Sequence, residues 1–293
     1  MSVAHSPLRY PGGKAVLGPL LAATVAQNGL QDGTYAEPYA GGAGAALGLL
    51  FGEHVQRIVL NDADPCVYAF WSAVLHRKND LVARVRDAEL SIPEWRRQRA
   101  IYLQQHRHSR IKVAFAAFYL NRCNRSGIMV NGGPIGGYEQ SGVWKLDARF
   151  NRDQLIERIE KIHTYRERIG LYNLDAIDFL QVLAGNTDSS TMLVYLDPPY
   201  FVKGRELYLN HYQPADHEAV AKFITTHPFL KWIMTYDDVP EIRALYSNCL
   251  CAPFTLSYSA HSRKAGRELL IHDSKVTVPP GYVELLGPAQ ESA

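Results

Sequence analysis

Thr34-Tyr35-Ala36-Glu37-Pro38-Tyr39-Ala40-Gly41-Gly42-Ala43-Gly44 is the stretch on which the fold turns. Thr34 to Pro38 reads as a short strand that runs into a glycine-rich turn, and Ala45 to Phe51 reads as a helix. Glycines between a strand and a helix let the backbone approach a ligand closely. Arg57 to Leu60 is a second strand, ended by Asn61-Asp62. Strand, glycine turn, helix, strand, acid is the opening of a doubly wound α/β sheet. An acid at the end of the second strand can accept hydrogen bonds from both ribose hydroxyls of a nucleoside-type cofactor. Turn and acid together therefore point to an adenosine-containing ligand. The competing readings are a structural tight turn for the glycines and a helix cap for Asp62. No Lys-Ser or Lys-Thr follows the glycines, which argues against a phosphate-binding P-loop.

Outward from this core, Pro65 to His108 lacks strand signals and is rich in helix formers. Ile111 to Leu120 reads as a buried helix, and Gly127 to Gly142 as an irregular, turn-rich loop. The sheet resumes at Gly170 to Leu174. It continues at Met192 to Leu196, Trp232 to Tyr236, Phe254 to Tyr258 and Glu268 to His272, with a helix over Asp216 to Thr225. A mostly helical insertion, 67–150, thus interrupts an α/β domain made of 1–66 and 151–278, and 279–293 reads as a tail.

The chain of 293 residues has 47% hydrophobic and 20% charged residues, the composition of a globular protein that needs no disulfide staples. No apolar run approaches a membrane span, and the first residues lack the basic and apolar regions of a signal peptide. The four cysteines, Cys66, Cys123, Cys249 and Cys251, are too scattered for a zinc site or a disulfide framework. Cys249 and Cys251 alternate in a strand-like run and are expected in the core, and a reducing compartment is expected for the protein. Net charge is +2, but it is unevenly spread. Trp95 to Tyr138 holds Arg96, Arg97, Arg99, Arg107, Arg110, Lys112, Arg122 and Arg125 and no Asp or Glu, which leaves −6 for the rest. A basic block of this kind suggests a polyanion footprint, against the plainer reading of a solvated helix face.

The sharpest signal is Asp197-Pro198-Pro199-Tyr200 at the end of the apolar strand Met192 to Leu196. An exocyclic amine on a base is a poor nucleophile because its lone pair is delocalised into the ring. Asp197 and a proline carbonyl can each accept a hydrogen bond from that amine. Proline offers no competing N–H. Two acceptors favour a pyramidal nitrogen with its lone pair free for attack, and Tyr200 can stack on a base extruded from a duplex.

With these motifs the sequence resembles the Dam-type DNA adenine N6-methyltransferases, with the group-α order of motifs, over most of the chain to about residue 272. Arg9-Tyr10-Pro11-Gly12-Gly13-Lys14 is similar to the family's N-terminal aromatic-x-Gly-Gly-Lys motif, which makes Tyr10 and Lys14 candidate contacts to S-adenosylmethionine. Glu37, Pro38, Tyr39, Gly41 and Gly42 match the cofactor loop, Asp62 the ribose-binding acid, and Asp178-Phe179 the contact to the cofactor's adenine. Asp197 to Tyr200 matches the catalytic tetrapeptide. Leu120-Asn121-Arg122 with Gly127 resembles the signature of the DNA-recognition region, Asn210-His211-Tyr212 and Asp216-His217 the loop and helix after the catalytic motif, and Glu268 to Ile271 the late strand. Two departures stand out. The glycine usual at position 43 is displaced to Gly44, and Val130 stands where members that read GATC carry arginine. GATC is therefore not assumed as the target.

The resemblance implies a doubly wound, mostly parallel seven-stranded methyltransferase sheet with an inserted helical target-recognition domain. It implies methyl transfer from S-adenosylmethionine to the N6 amine of a flipped adenine in duplex DNA, with S-adenosylhomocysteine as product and no metal. Arg96, Arg97, Arg99, Arg122, Arg125 and Asn131 are the candidate DNA contacts, Arg96, Arg97 and Arg99 for phosphates and Arg122, Arg125 and Asn131 for base edges. Expected partners are double-stranded DNA and no membrane; a cognate restriction endonuclease and a monomeric state are compatible with the resemblance. The expected setting is the cytoplasm of a bacterium or a phage-infected cell. The rival readings are an N4-cytosine or RNA-base amino methyltransferase and a catalytically silent DNA-binding homologue.

Overall fold

In the computed structural model the described residues are 5–10, 14–185, 189–201, 212–227, 230–256 and 266–280. Pro11 to Gly13, Asn210, His211, the end of the Phe254 to Tyr258 stretch and nearly all of the tail lie outside them. Seven strands form one sheet among the described residues: β1 (Thr34–Glu37), β2 (Arg57–Asn61), β3 (Ile169–Tyr172), β4 (Met192–Leu196), β5 (Lys231–Asp237), β6 (Leu250–Leu256) and β7 (Gly266–His272). Their spatial order is β3-β2-β1-β4-β5-β7-β6. β1 to β5 are parallel, and β7 lies antiparallel between β5 and β6. The chain winds one way from β1 to β3 and the other way from β4 onward, so the crevice at the carboxyl ends of β1 and β4 is the switch point where such sheets bind ligands.

Strand alternation sorts the side chains onto two faces. Tyr35, Ile58, Leu60, Leu193, Tyr195 and Ile233 face one core, and Ala36, Met192, Val194, Leu196, Trp232 and Met234 face the other. β4 is buried along its whole length, as a central parallel strand covered on both sides must be. The first core takes α1 (Gly18–Gln27), α2 (Gly44–Phe51), α3 (Pro65–His76), α4 (Lys78–Arg86), α5 (Ile92–Leu103), α6 (Arg110–Cys123) and α7 (Arg152–Thr164). The second takes α8 (Ala176–Ala184), α9 (Pro214–Thr226) and α10 (Pro240–Leu245). The insertion has no core of its own. Phe70 of α3 stacks on Phe118 of α6 at 5.8 Å, and both belong to the core under the sheet.

Helix starts follow the sequence closely. Asp64 caps α3 by accepting from Cys66 N at 2.7 Å, with Pro65 at the first turn. Ser91 accepts from Glu94 N to start α5, and Asn151 from Gln154 N to start α7. α1, α7 and α8 were not anticipated. α7 buries Leu155, Ile159 and Ile162 at helical spacing, and its charged remainder hides that stripe. Cys249 and Cys251 are half-buried against the second core rather than inside it, because β6 is an edge strand. Cys66 is buried, gives its Sγ–H to Gln105 Oε1 at 3.1 Å and has its pKa raised by burial, the state of a structural thiol.

Candidate active site

The carboxyl ends of β1, β2 and β4 open into a cavity of about 530 Å³. Its wall is formed by the glycine turn, Asp62, Asp197 and Pro199, together with Tyr10, Lys14 and the Gly127 to Val130 loop of the insertion.

The glycine turn is held from three sides. Gly41 N–H donates to Asp62 Oδ2 at 2.9 Å, Trp71 Nε1 of α3 donates to Gly41 O at 2.9 Å, and the Tyr10 ring lies against Gly41. Gly41 has φ +46°, and a Cβ there would sit 2.8 Å from that ring, so position 41 needs glycine on two counts. The displaced glycine leaves Ala43 in the left-handed conformation at φ 48°, as the residue before α2. The turn therefore keeps its shape at a local cost in backbone strain.

Two acids flank the turn. Glu37 is buried, accepts from Tyr35 OH at 3.0 Å and from Ala46 N at 3.2 Å, and burial pushes its carboxyl up to about 8. Asp62 accepts from Gly41 N and from Asp64 N, and burial, with the neighbouring Asp64, pushes it up to about 7. Neither has an ion-pair partner among the described residues. A buried carboxyl with hydrogen bonds but no cation favours a ligand that brings positive charge or hydroxyl donors. Pro38 and Tyr39 complete this wall, with Tyr39 OH 2.8 Å from Tyr212 OH.

The opposite wall is built differently. Lys14 Nζ lies 2.9 Å from Glu268 Oε2, 3.2 Å from Tyr200 OH and 3.5 Å from Asp197 Oδ1. Burial would lower the Lys14 pKa, but Asp197 and Glu268 outweigh it and hold the ammonium charged. Tyr200 OH donates to Glu268 Oε1 at 2.8 Å. Thr235 Oγ1 donates to Asp197 Oδ1 at 3.3 Å. Burial raises the Asp197 carboxyl to about 6, against the pull of Lys14. Pro199 lines the cavity with Asp197, and Pro198 lies between them in sequence, outside the lining.

The structure moves several expected contacts. Lys14 lines the cavity on its Asp197 side, with its Nζ near Glu268, Tyr200 and Asp197. Asp178 is exposed and Phe179 is fully buried against Tyr172; neither lines the cavity. Just before them, Asp175, Ala176 and Ile177, the cap and first two residues of α8, do line it.

The basic block is thinner than its sequence suggests. Arg96, Arg97, Arg99, Arg125 and Asn131 are exposed. Arg97 is held by Glu94, just outside the counted block, through two contacts of 2.7 Å. Arg99 lies 6.0 Å over the Trp95 ring. Arg122 is buried and gives Nε–H to Arg149 O at 2.7 Å. Its pKa falls to about 10 through burial and through Arg9, Arg158 and Arg149 nearby, so it is no exposed base reader.

Several contributors stood in the sequence with a different role or with none. Asn121 accepts from Arg9 N and donates to Arg9 O, both at 2.7 Å, and donates to Gly127 O at 3.1 Å. Gly127 has φ +77°, and a Cβ there would lie 2.5 Å from Arg9 O. Asn124 donates to Ile128 O and Met129 O. These two asparagines thus fasten the segment before Tyr10 to the loop that carries Met129 and Val130 into the cavity wall. Tyr102 of α5 reaches Asp64 Oδ2 at 3.2 Å. Glu268 stood in the sequence only as part of a late strand.

The family model described as D12 class N6 adenine-specific DNA methyltransferase matches residues 10–269. No curated protein sequence matches the chain. Among solved structures, two of the rRNA methyltransferase aviRa from Streptomyces viridochromogenes align at 16% identity and a TM-score of 0.34. One alignment covers 87% of this chain and 84% of that one, and the other covers 92% and 87%. Likeness at that level assigns no substrate. Among the described residues no helix is long and apolar enough to cross a membrane, and no cluster of three or more His, Cys, Asp or Glu side chains is arranged to hold a metal ion.

Proposed function

Because the chain belongs to the D12 class N6 adenine-specific DNA methyltransferases, we propose that its cavity takes S-adenosylmethionine on the Glu37–Asp62 wall and a flipped adenine on the Asp197 wall. One observation carries this reading. A single cavity joins two acids, Glu37 buried and Asp62 half-buried, that have no cation partner among the described residues, with an acid–proline–proline–tyrosine turn at the switch point of the sheet. Bound there, S-adenosylmethionine supplies an electrophilic methyl on a positively charged sulfur.

The chain's own residues bind, orient and polarise. Glu37 receives the donor's ammonium and Asp62 its ribose hydroxyls, while Gly41 and Gly42 let backbone come close. The adenine of the donor lies toward Asp175 to Ile177. Asp197 and a proline carbonyl of the tetrapeptide accept the two protons of the N6 amine, which leaves the nitrogen lone pair directed at the methyl. Tyr200 stacks on the extruded ring. Methyl transfer then needs positioning and electrostatics and no covalent enzyme intermediate.

Residues 67–150 serve target recognition, with Arg96 and Arg99 on phosphates and Arg125 and Asn131 at base edges, while 1–66 and 151–278 serve catalysis. The protein acts on duplex DNA, in a bacterial or phage-infected cytoplasm.

The test is sequencing of modified bases in DNA from cells that express the protein. N6-methyladenine at one recurrent sequence, lost in Asp197→Ala, is the expected result. N4-methylcytosine, or no modified base with the donor and DNA both bound, would replace this reading by one of its rivals.

A further inference from the structure

Glu268 reaches the active site from β7. Its side chain is buried, and both its oxygens are occupied, Oε2 by the Lys14 ammonium at 2.9 Å and Oε1 by the Tyr200 hydroxyl at 2.8 Å. Lys14 is therefore shared unequally between two carboxylates. It touches Glu268 at full contact and stands off Asp197 at 3.5 Å. Asp197 Oδ1 faces Lys14 and Thr235, and Asp197 Oδ2 has no protein partner among the described residues.

We propose that Glu268 is a positioning residue for methyl transfer: it anchors the Lys14 ammonium and the Tyr200 hydroxyl, and so keeps Asp197 from being consumed by Lys14. This rests on the reading of Asp197 as acceptor for the base amine. A buried ammonium must have a carboxylate partner. Without Glu268, the only carboxylate in reach of Lys14 among the described residues is Asp197, and contact would close to about 2.8 Å, the length of a charge-assisted hydrogen bond. An aspartate held that way is a weaker acceptor and a poorer fit for the amine. Tyr200 would lose one of its hydrogen bonds in the same step, and the ring that stacks on the base would be held less firmly.

The titratable groups facing Asp197 are Lys14 and Glu268 and, further off, Glu37, Tyr35, Tyr195 and Tyr236. Glu268 repels the Asp197 charge and Lys14 attracts it. Removing the Glu268 charge while Lys14 closes in acts in one direction on both counts, and Asp197 then ionises at lower pH.

The test compares wild type, Glu268→Gln and Asp197→Asn in the full chain, with S-adenosylmethionine and unmethylated duplex DNA, across pH 5 to 9. For Glu268→Gln the expected result is a kcat lower by about thirtyfold, KM for DNA and donor each within about threefold, and the acid limb of kcat moved to lower pH. A kcat and acid limb equal to wild type overturn the proposal. So does a loss of kcat with the acid limb unmoved, which marks a purely structural role. Asp197→Asn separates the two readings. If it retains activity, the assignment of Asp197 falls; if it is inactive while Glu268→Gln behaves as wild type, only the role of Glu268 falls. Should Glu268→Gln fail to fold, Glu268→Asp keeps the buried charge but cannot reach both partners. The expected result is then a several-fold loss of kcat with KM for DNA unchanged, and a wild-type kcat overturns the proposal.

Discussion

The two walls of the cavity handle buried acid in opposite ways. On one side Asp197 and Glu268 share Lys14, so charge is already paired before any ligand arrives. On the other, Glu37 and Asp62 have only hydrogen bonds from Tyr35, Ala46, Gly41 and Asp64, and burial raises both toward neutrality. On the proposed reading, the first wall orients a neutral amine with groups already in contact with one another. The second is incomplete without a cationic or hydroxyl-bearing ligand. An enzyme that must bind a positively charged donor and a neutral nucleophile in one cavity has a physical reason to build its walls this way.

The largest effect expected from breaking this contrast is at Asp197. Asp197→Ala lowers methyl transfer by about a thousandfold, the scale for losing a group that acts on the reacting atoms, while DNA binding and folding persist. Tritium transfer from labelled donor, with circular dichroism as the folding control, measures it.

Next comes Glu37. Glu37→Gln weakens S-adenosylmethionine binding by about tenfold to a hundredfold, the range for losing a charged hydrogen-bond partner. In the free protein Glu37 and Asp62 hold their protons up to about pH 8 and about pH 7. A cationic donor favours the ionised forms. Wild-type binding therefore releases protons and tightens from pH 6 to 8.5, and Glu37→Gln flattens that rise, as titration calorimetry in buffers of different ionisation enthalpy can record. Stability without ligand follows the same linkage. Carboxyls whose pKa is raised on folding lend stability that is complete below their unfolded values and is lost as pH climbs to the raised ones, so the melting temperature drifts down between about pH 4 and about pH 8. Donor restores more of it at pH 8.5 than at pH 6.

A smaller effect separates the exposed arginines. Arg96→Gln and Arg99→Gln each flatten the dependence of log binding constant on log salt by up to about 0.9, the loss of one phosphate contact. Arg97→Gln moves the slope less, because Glu94 already holds that guanidinium. Filter binding across a salt series reads the slope, and equal slopes for all three variants would return the block to a solvated face.

The smallest effect is at Ala43. Its left-handed backbone predicts that Ala43→Gly raises stability by up to about 1 kcal/mol in a denaturant melt, with donor affinity unchanged.

Much of this was legible in the sequence because it is local. Glu37, Asp62 and Asp197 each follow directly from a strand, and the carboxyl end of a parallel strand is where a doubly wound sheet meets its ligand. The apolar run Met192 to Leu196 and the cap at Asp64-Pro65 were legible for the same reason. Asp178-Phe179 misled because motif position does not say which side chains within one helical turn point into the cavity. The basic block misled because a count cannot tell an exposed Arg96 from a buried Arg122, nor see Glu94 one residue outside the window.

By itself, then, the sequence determined the order of strands and turns, the acids at their ends and the chemistry of an acid–proline–proline–tyrosine turn. Those depend on residue types at short spacing, which propensity and periodicity expose. Only the tertiary structure decided what each charge faces. Lys14 and Glu268 stand 254 residues apart and meet because β7 inserts antiparallel beside β5, while Asn121 reaches back 112 residues to Arg9. Pairing across such distances is set by sheet order and packing, and the energy of a buried charge depends on that pairing rather than on the residue that bears it.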